Sequence, residues 1–316
     1  MAPVKHLILH LGLPKTGTTF LQREIFPRWK KTLGYMDRQE LAGIARLRQI
    51  TQWYPPSIWG TAKERSATLN LRNAIAASPE QEIRFISFEN ILATNLFAPN
   101  QGAYFNPVTG ERWSPVSHLP FILDLFAPNR LKTTILLTLR HQPEWIASLY
   151  AQSSNRIPWA SQWHFEAQVR RELGLLRVGL PSFLDYAALA EELTELVPRV
   201  EVGAFDLETM GIDVLKDFLE ARLGVCLDAL PKTLGSPANV RQNRPGRWKL
   251  RRLDFAPPNN PRNLNRNGLT SLFTSFKPAT SITLRESLRE EIVLACKSHN
   301  ERLQHLKLAL APVAWD

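Results

Sequence analysis

The alternation of apolar and polar positions along the chain predicts strands that alternate with helices. Short runs of apolar and β-branched residues, bounded by turn residues, are typical of buried strands in a parallel sheet. Four such runs predict strands over residues 5–12, 82–88, 132–139 and 199–205. Apolar residues at helical spacing predict helices over residues 18–31, 119–126, 143–150, 182–196, 207–223 and 284–308. This order predicts an α/β fold with a doubly wound, mainly parallel sheet flanked by helices, and with ligands at the carboxyl ends of the strands.

The domain organisation follows from the absence of any internal repeat or clean linker. We therefore interpret residues 1–316 as a single domain. One segment differs in composition: residues 235–270 are rich in proline and asparagine, and they include a dense run of arginine and lysine over 241–252. This composition predicts a loop-rich, basic segment within the domain.

The net charge favours an anionic partner. Lysine and arginine outnumber aspartate and glutamate by 39 to 29, which gives a formal net charge of +10. Such an excess suits a nucleotide, a nucleic acid, a membrane surface or an acidic glycan. No recognised nucleic-acid-binding motif accompanies the charge, so we do not expect a nucleic acid as partner.

Cysteine content and hydropathy indicate the expected location. Cys226 and Cys296 are too few for a disulfide framework or a zinc site, and their apolar, helix-like surroundings predict buried free thiols. The apolar run near the amino terminus is interrupted by His6 and His10 and stops at Pro14, which is unlike a signal peptide. No segment approaches the roughly 20 apolar residues that span a bilayer. We therefore expect no integral membrane segment and a reducing, cytoplasmic location.

The segment from Gly12 to Thr19 has the residue types of a phosphate-binding loop. It follows the first predicted strand and opens the first predicted helix, and the N–H groups and dipole at a helix start attract anions. Gly17 lets the backbone approach an anion closely, the threonine hydroxyls add donors, and Lys15 adds a full charge. The P-loop of nucleoside triphosphatases places its lysine directly after the second glycine, whereas Lys15 precedes Gly17. No apolar strand ends in a persuasive metal-binding aspartate either, which disfavours magnesium-dependent ATP chemistry.

The sequence from His10 to Gln22, with its core Gly-Leu-Pro-Lys-Thr-Gly-Thr-Thr, resembles the 5′-phosphosulfate loop of sulfotransferases that use 3′-phosphoadenosine 5′-phosphosulfate (PAPS). It is most similar to bacterial carbohydrate or glycolipid sulfotransferases. The resemblance implies a P-loop nucleoside-triphosphatase-like sulfotransferase fold, with PAPS as cosubstrate, 3′,5′-adenosine bisphosphate (PAP) as product, and no metal. It implies that Lys15 stabilises the departing bridge oxygen. The cofactor-binding residues that it implies in this loop are Pro14, Lys15, Thr16, Gly17, Thr18 and Thr19.

A second motif begins where the third predicted strand ends. Arg140 lies at the strand tip, and Ser148 follows in a helix that Pro143 is suited to start. An arginine fork binds phosphate oxygens through paired donors and a hydroxyl adds another, so the two side chains can converge on one anion. The pair resembles the 3′-phosphate motif of the same sulfotransferases, in which the arginine and serine distinguish PAPS from adenosine phosphosulfate.

Two residues are candidates for the general base that takes the proton of the acceptor hydroxyl. Glu89 follows the second predicted strand at the ligand-bearing edge, where similar bacterial enzymes often have Ser-x-Glu; a carboxylate that stabilises a helix start explains it equally well. His118, in Ser-His-Leu-Pro, resembles the catalytic histidine of cytosolic small-molecule sulfotransferases, but the lysine and threonine of that motif are missing. A surface histidine at a helix start is the simpler account of His118, so Glu89 is our first choice.

The acceptor pocket is expected in the segments between the predicted core elements, 34–80, 95–118, 154–180 and 235–270. Several tryptophans fall in these loop-like segments, which suits stacking on sugar rings, although packing under long loops explains them more plainly. The basic stretch around Arg244 has three interpretations: a loop that closes over the nucleotide, as in related enzymes, a site for an anionic acceptor, or a solvated loop.

The leading interpretation is therefore a PAPS-dependent sulfotransferase, which transfers a sulfuryl group to a hydroxyl acceptor by in-line displacement without a metal. A small-molecule or glycan acceptor is expected, with a carbohydrate or glycolipid favoured. The alternative is a P-loop kinase or phosphotransferase that uses ATP. A third interpretation, a non-enzymatic nucleic-acid-binding protein, is supported by the net charge alone.

Overall fold

The structure is a computed structural model of the chain. It describes residues 5–36, 82–87, 119, 132–157, 159–196, 200–230, 246–251, 280–312 and 315.

Five strands form one sheet in which every neighbouring pair is parallel. In chain order they are β1 (His6–Gly12), β2 (Tyr35–Met36), β3 (Ile83–Ser87), β4 (Lys132–Leu139) and β5 (Val200–Asp206). Their order across the sheet is β2-β3-β1-β4-β5. The chain leaves β1 towards one side of the sheet and leaves β4 towards the other, so the strand order reverses between them. Ligands of open α/β sheets bind at such a reversal, beyond the carboxyl ends of the strands.

The described helices include short and long ones. After β1 come α1 (Thr18–Phe20), its π-helical continuation (Leu21–Ile25) and α2 (Lys30–Leu33). The longer helices are α3 (Gln142–Ser153), α4 (Gln162–Arg177), α5 (Tyr186–Leu196), α6 (Leu207–Leu223) and α7 (Glu286–His305). A 3-10 turn, Ser154–Arg156, follows α3 directly.

Alternate side chains of β1 point to two hydrophobic cores, one on each face of the sheet. Leu7, Leu9 and Leu11 belong to a core that α3, α4, α5 and α7 cover. Ile8 belongs to a second core, which α1, its π-helical continuation and α6 cover. Burial on both faces explains the nearly continuous apolar sequence of this strand. The α/β class and the mainly parallel sheet flanked by helices are thereby confirmed.

Helix α6 begins and ends where its sequence predicts, because both of its ends are capped locally, but the non-helical backbone of Gly211 (φ 75°, ψ 164°) kinks it after its first turn. The Asp206 carboxylate accepts a hydrogen bond from the Glu208 N–H at 2.9 Å. At the other end Gly224 adopts a left-handed conformation with φ 64°. Side-chain caps at the start of a helix and glycine just after its end are both readable in a sequence.

Two helix predictions need correction at their boundaries. The helix predicted over 18–31 is π-helical from Leu21 to Ile25 and is then interrupted by turn residues up to α2. The helix predicted over 182–196 begins only at Tyr186. The Asp185 carboxylate accepts from the Ala188 N–H at 2.9 Å, so it caps the helix at that point.

The segment 154–180, which was predicted to be a loop, contains α4. The buried face of α4 includes two carboxylates, which interrupt its apolar stripe. Glu166 forms an ion pair with Arg285 at 3.2 Å, and Glu172 accepts from the Ser182 hydroxyl at 3.2 Å. Trp163 lies on this helix rather than in a loop, and 78% of its surface is exposed.

The prediction of two buried thiols is correct for one of them. Cys296 is buried in α7, and burial raises the pKa of its thiol to about 12. Cys226 is exposed and lies after the end of α6, so its environment was predicted wrongly. Both cysteines are free thiols.

Two short strands, β6 (Arg247–Lys249) and β7 (Ser281–Thr283), form a separate antiparallel pair. Trp248 of β6 is buried in the core that α3 covers. The Arg251 N–H donates to the Ser154 hydroxyl at 2.7 Å, which ties this pair to the end of α3. Of the predicted basic segment 235–270, residues 246–251 are described, and the remainder lies outside the described residues.

None of the helices that the structure describes is long and apolar enough to cross a membrane. The assignment of residues 1–316 to a single domain stays a prediction.

Candidate functional site

The carboxyl ends of β1 and β4 meet at the reversal of strand order. Gly12, the last residue of β1, pairs with Thr138 of β4, and Leu139 pairs with Asp206 of β5. The loop of residues 13–17 and the residue Arg140 therefore begin side by side. The register of the sheet brings together the two segments that the sequence predicts to bind phosphate.

The loop after β1 is held closed by hydrogen bonds. The Leu13 N–H donates to the Thr138 carbonyl at 3.2 Å, and the Thr16 hydroxyl donates to the Leu13 carbonyl at 2.6 Å. The Trp145 indole of α3 donates to the Pro14 carbonyl at 2.8 Å. The Thr16 hydroxyl, predicted as a possible donor to a ligand, is thus engaged in closing the loop.

The conformation of the loop requires glycine at two positions. A Cβ atom added at Gly12 would lie 1.9 Å from Thr18 Cγ2. Gly17 has φ 85°, and a Cβ atom there would lie 2.7 Å from the Leu207 Cδ2 at the start of α6. Lys15 is also left-handed, with φ 72°, which costs a non-glycine residue about 1–2 kcal/mol. Backbone strain of this kind is common at ligand-binding sites.

Arg140 connects three parts of the site. Its Nη1 donates to the Lys15 carbonyl at 3.3 Å, and its Nη2 forms an ion pair with the Glu208 carboxylate at 2.8 Å. Its Nε is buried and has no hydrogen-bond partner among the described residues. The Arg140 carbonyl accepts from the Tyr186 hydroxyl at 2.9 Å, which fixes the backbone. A guanidinium that lies beside the loop and has an N–H donor without a partner among the described residues is suited to bind an anion.

Carboxylates lie on the α6 side of Arg140. Partial desolvation raises the pKa of the half-exposed Glu208 carboxylate; Arg140 opposes this change, while Asp206 and Glu144 add to it. Asp206 is buried, and both of its carboxylate oxygens are engaged, one by the Glu208 N–H and the other by the Trp315 indole at 2.6 Å. The Asp206 carboxylate therefore caps α6 and fixes Trp315.

Aromatic rings support the site from the face that α3 and α5 cover. Tyr186 contacts the rings of Trp145 and Trp315, each at a centroid distance of 5.8 Å. His141, next to Arg140, stacks on Trp315 at 6.0 Å. Burial raises the pKa of Tyr186 well above its ordinary value, so its hydroxyl stays protonated and donates to the backbone.

A buried polar network lies beneath the loop. His10 of β1 contacts the Ser87 hydroxyl through Nδ1 at 2.7 Å and the Thr138 hydroxyl through Nε2 at 2.9 Å. Gln22 donates to the same Ser87 hydroxyl at 3.0 Å. Burial lowers the pKa of His10 to about 3, so the imidazole is neutral. The network connects three strands, and its histidine is too deeply buried to contact a ligand.

Several of the predicted site residues are described by the structure. Lys15, Thr16 and Gly17 share one loop, and Arg140 contacts the Lys15 carbonyl. Thr18 is buried against Gly12, while Thr19 and Pro14 are half-buried. Ser148 lies on α3 and is half-buried, and among the described residues the guanidinium of Arg140 bonds Lys15 and Glu208 rather than Ser148. Glu89, His118 and Arg244 lie outside the described residues, so their roles stay predictions.

Three residues that form the site were not predicted from the sequence. Trp145 and Tyr186 have helical spacing typical of core residues, and nothing in their spacing indicates that their polar atoms reach the loop and Arg140. Glu208 had a readable signal, because it lies in the first turn of a helix that starts at a sheet edge where ligands bind.

Among the residues that the structure describes, no group of three or more histidine, cysteine, aspartate or glutamate side chains is arranged to hold a metal ion. The donors that converge at this edge are cationic or neutral, from Lys15, the loop and Arg140, which fits a phosphorylated ligand. No protein-family model and no curated protein matches this chain, so the geometry around Arg140 carries the functional argument.

Proposed function

We propose that this protein is a sulfotransferase that moves the sulfuryl group of PAPS to a hydroxyl acceptor. The observation that carries the proposal is the position of Arg140: it contacts the carbonyl of Lys15 and keeps a buried Nε without a partner among the described residues. PAPS carries phosphate groups at both its 5′ and 3′ positions. A loop and an arginine that lie side by side suit one phosphate each.

The proposed roles follow from these positions. The loop from Pro14 to Thr19 binds the 5′-phosphate, and Arg140 binds the 3′-phosphate with Ser148. The bond between sulfur and the phosphate oxygen breaks as a bond forms between sulfur and the acceptor oxygen. Lys15 stabilises the negative charge that develops on the departing oxygen. The acceptor proton passes to a general base, for which Glu89 and His118 are the predicted candidates.

The kinase alternative receives less support from the same residues. Lys15 precedes Gly17 by two positions, whereas the lysine of the P-loop of nucleoside triphosphatases follows the second glycine directly. Asp206, which ends β5, is buried with both carboxylate oxygens engaged by Glu208 and Trp315. The proposal therefore retains PAPS, rather than ATP with magnesium, as the donor.

The acceptor is proposed to be a carbohydrate or glycolipid hydroxyl, and the location to be cytoplasmic. Trp159 and Trp163 support this acceptor class, since 75% and 78% of their surfaces are exposed. Exposed indole rings are suited to stack on apolar faces of ligands. The two residues flank the start of α4.

The test is isothermal titration of the protein with PAP and with ADP, both without magnesium. The variants are Arg140→Ala, Arg140→Lys and, as a matched control, Arg222→Ala. Arg222 also pairs with a glutamate, Glu201, but at the other end of the sheet, where β5 begins. Lysine keeps the charge of Arg140 without its paired donors.

We expect PAP to bind at micromolar concentration and ADP to bind much more weakly. Arg140→Ala should abolish this preference, Arg140→Lys should weaken it, and Arg222→Ala should leave it unchanged. ADP binding as tightly as PAP, or equal PAP affinity in Arg140→Ala, would overturn the sulfotransferase proposal and return the kinase to consideration.

A further inference from the structure

We propose that Glu208 lowers the affinity of the site for nucleotides with a phosphate at the Arg140 position, because it occupies Arg140 until that phosphate displaces it. The inference rests on the proposed function, because it assigns a role to a residue beside the proposed 3′-phosphate position. Glu208 is a positioning residue that acts through Arg140 and makes no contact with the reacting atoms.

The ion pair is asymmetric in a way that suits exchange. The side chain of Glu208 is 59% exposed, whereas that of Arg140 is 24% exposed. The Tyr186 hydroxyl bonds the Arg140 carbonyl, and the Arg140 guanidinium also donates to the Lys15 carbonyl. Arg140 is therefore held in place, while Glu208 can turn into solvent without breaking a packed core. An ion pair whose carboxylate is mostly exposed is weak enough for a bound anion to replace that carboxylate.

Glu208 is the exchangeable carboxylate among those near Arg140. Asp206 is engaged by the Trp315 indole, and Glu144 pairs with Arg289 at 3.2 Å and with His141 at 3.2 Å. These partners remain when a ligand binds at Arg140. Glu208, whose side chain is paired with Arg140, must give up that contact.

This arrangement acts differently on two classes of ligand. A nucleotide that carries a phosphate at the Arg140 position replaces the carboxylate and satisfies the guanidinium. A nucleotide without that phosphate, such as ADP, leaves the Arg140–Glu208 pair intact and gains nothing from Arg140. Glu208 is thus an internal competitor for a phosphate at Arg140: it lowers the affinity for PAP, leaves the affinity for ADP unchanged, and so narrows the preference for PAP over ADP.

The experiment measures PAP and ADP affinities of the wild type, Glu208→Gln, Glu208→Ala and Glu286→Gln by isothermal titration. Glutamine keeps an oxygen that can accept from Arg140 but removes the charge. Glu286 is the matched control, because it is an exposed glutamate in the first turn of α7 and pairs with Arg289 at 3.6 Å.

We expect Glu208→Gln to bind PAP about fivefold more tightly than the wild type, the effect of removing a competing surface ion pair. Glu208→Ala should bind PAP at least as tightly as the wild type, while ADP affinity and Glu286→Gln should stay unchanged. PAP affinity that is unchanged or weaker in Glu208→Gln would overturn the proposal, because Glu208 would then only support Arg140.

The two proposals fail in different ways. If wild-type protein binds PAP no better than ADP, the sulfotransferase proposal fails. The present inference then fails with it, because it places the role of Glu208 beside the 3′-phosphate. If wild-type protein prefers PAP but Glu208→Gln binds PAP no more tightly, the sulfotransferase proposal stands and only the role of Glu208 is contradicted.

Discussion

The two motifs at the carboxyl edge of the sheet differ in what holds them in place. The loop from Gly12 to Thr19 is fixed mainly by local features, the left-handed Lys15 and Gly17 and the bond from the Thr16 hydroxyl to Leu13, to which the Trp145 indole adds one bond at Pro14. Arg140 is fixed by contacts with other segments of the chain, the loop, α5 and α6. A substitution in the loop should therefore cost stability. A substitution around Arg140 should change ligand binding at little cost in stability.

The largest effect is expected at Gly12, where a methyl group has no space. Its Cβ would lie 1.9 Å from Thr18 Cγ2 and 2.6 Å from the Thr138 hydroxyl oxygen. Gly12→Ala should lower the free energy of unfolding by about 3 kcal/mol, measured by urea denaturation.

Gly174 of α4 is the matched control, because nothing lies within 4 Å of an added Cβ. Gly174→Ala should raise the free energy of unfolding by about 0.5–1 kcal/mol, since alanine favours the helix and restricts the unfolded chain. Equal effects of the two substitutions would mean that the loop is not fixed by close packing.

The same difference explains what the sequence could predict of the fold. β1 and β4 are readable because buried parallel strands have nearly continuous apolar sequences. The bounds of α6 are readable because Asp206 and Gly224 are local caps. Helix α4 was missed because its buried face includes Glu166 and Glu172, whose partners Arg285 and Ser182 come later in the chain.

The site divides in the same way. The loop was predictable because glycine, threonine and lysine meet requirements of backbone conformation and anion binding that arise within a few residues of one another. Arg140 was predictable from its place at a strand end. Two other contacts join separate elements: the Trp145 indole donates to the Pro14 carbonyl, and the Glu208 carboxylate pairs with Arg140. Such contacts exist only after the sheet and helices pack, so no local pattern indicates them.

The next largest effect is expected at Gly17, where conformation and packing both matter. Gly17 has φ 85°, and its added Cβ would lie 2.7 Å from Leu207 Cδ2. Gly17→Ala should lower the free energy of unfolding by about 2 kcal/mol and weaken PAP binding. Gly179, with φ 69° and open space around an added Cβ, should lose only about 1 kcal/mol and keep PAP affinity. Equal losses at both positions would exclude a packing contribution from Leu207.

Acid should destabilise the base of the loop through His10. The pKa of His10 is about 3 in the folded protein because of burial, against an ordinary value of 6.5. The unfolded chain therefore binds a proton that the folded protein does not, so stability is full above pH 6.5 and decreases as pH falls towards 3. From pH 7 to pH 5.5 the contribution of His10 should be a loss of about 1 kcal/mol.

His10→Gln isolates this contribution from that of other titrating groups, His6 included. The variant should be less stable at pH 7, because its contacts with Ser87 and Thr138 are altered, but its stability should decrease less between pH 7 and pH 5.5. Parallel pH profiles of the two proteins, measured by urea denaturation, would contradict a buried neutral imidazole.

The smallest effect is expected at Ser148, and it shows how far the second motif extends. Ser148 is half-buried on α3, so its hydroxyl contributes little to packing, and Ser148→Ala should change the free energy of unfolding by less than about 0.5 kcal/mol. If Ser148 donates to the same phosphate as Arg140, its loss should weaken PAP binding about fivefold and leave ADP binding unchanged. Ser298→Ala, an exposed serine on α7, is the control. Unchanged PAP affinity in Ser148→Ala would restrict the second motif to Arg140. The 3′-phosphate would then bind to an arginine whose position depends on its contacts with other elements, and not to a pair of residues.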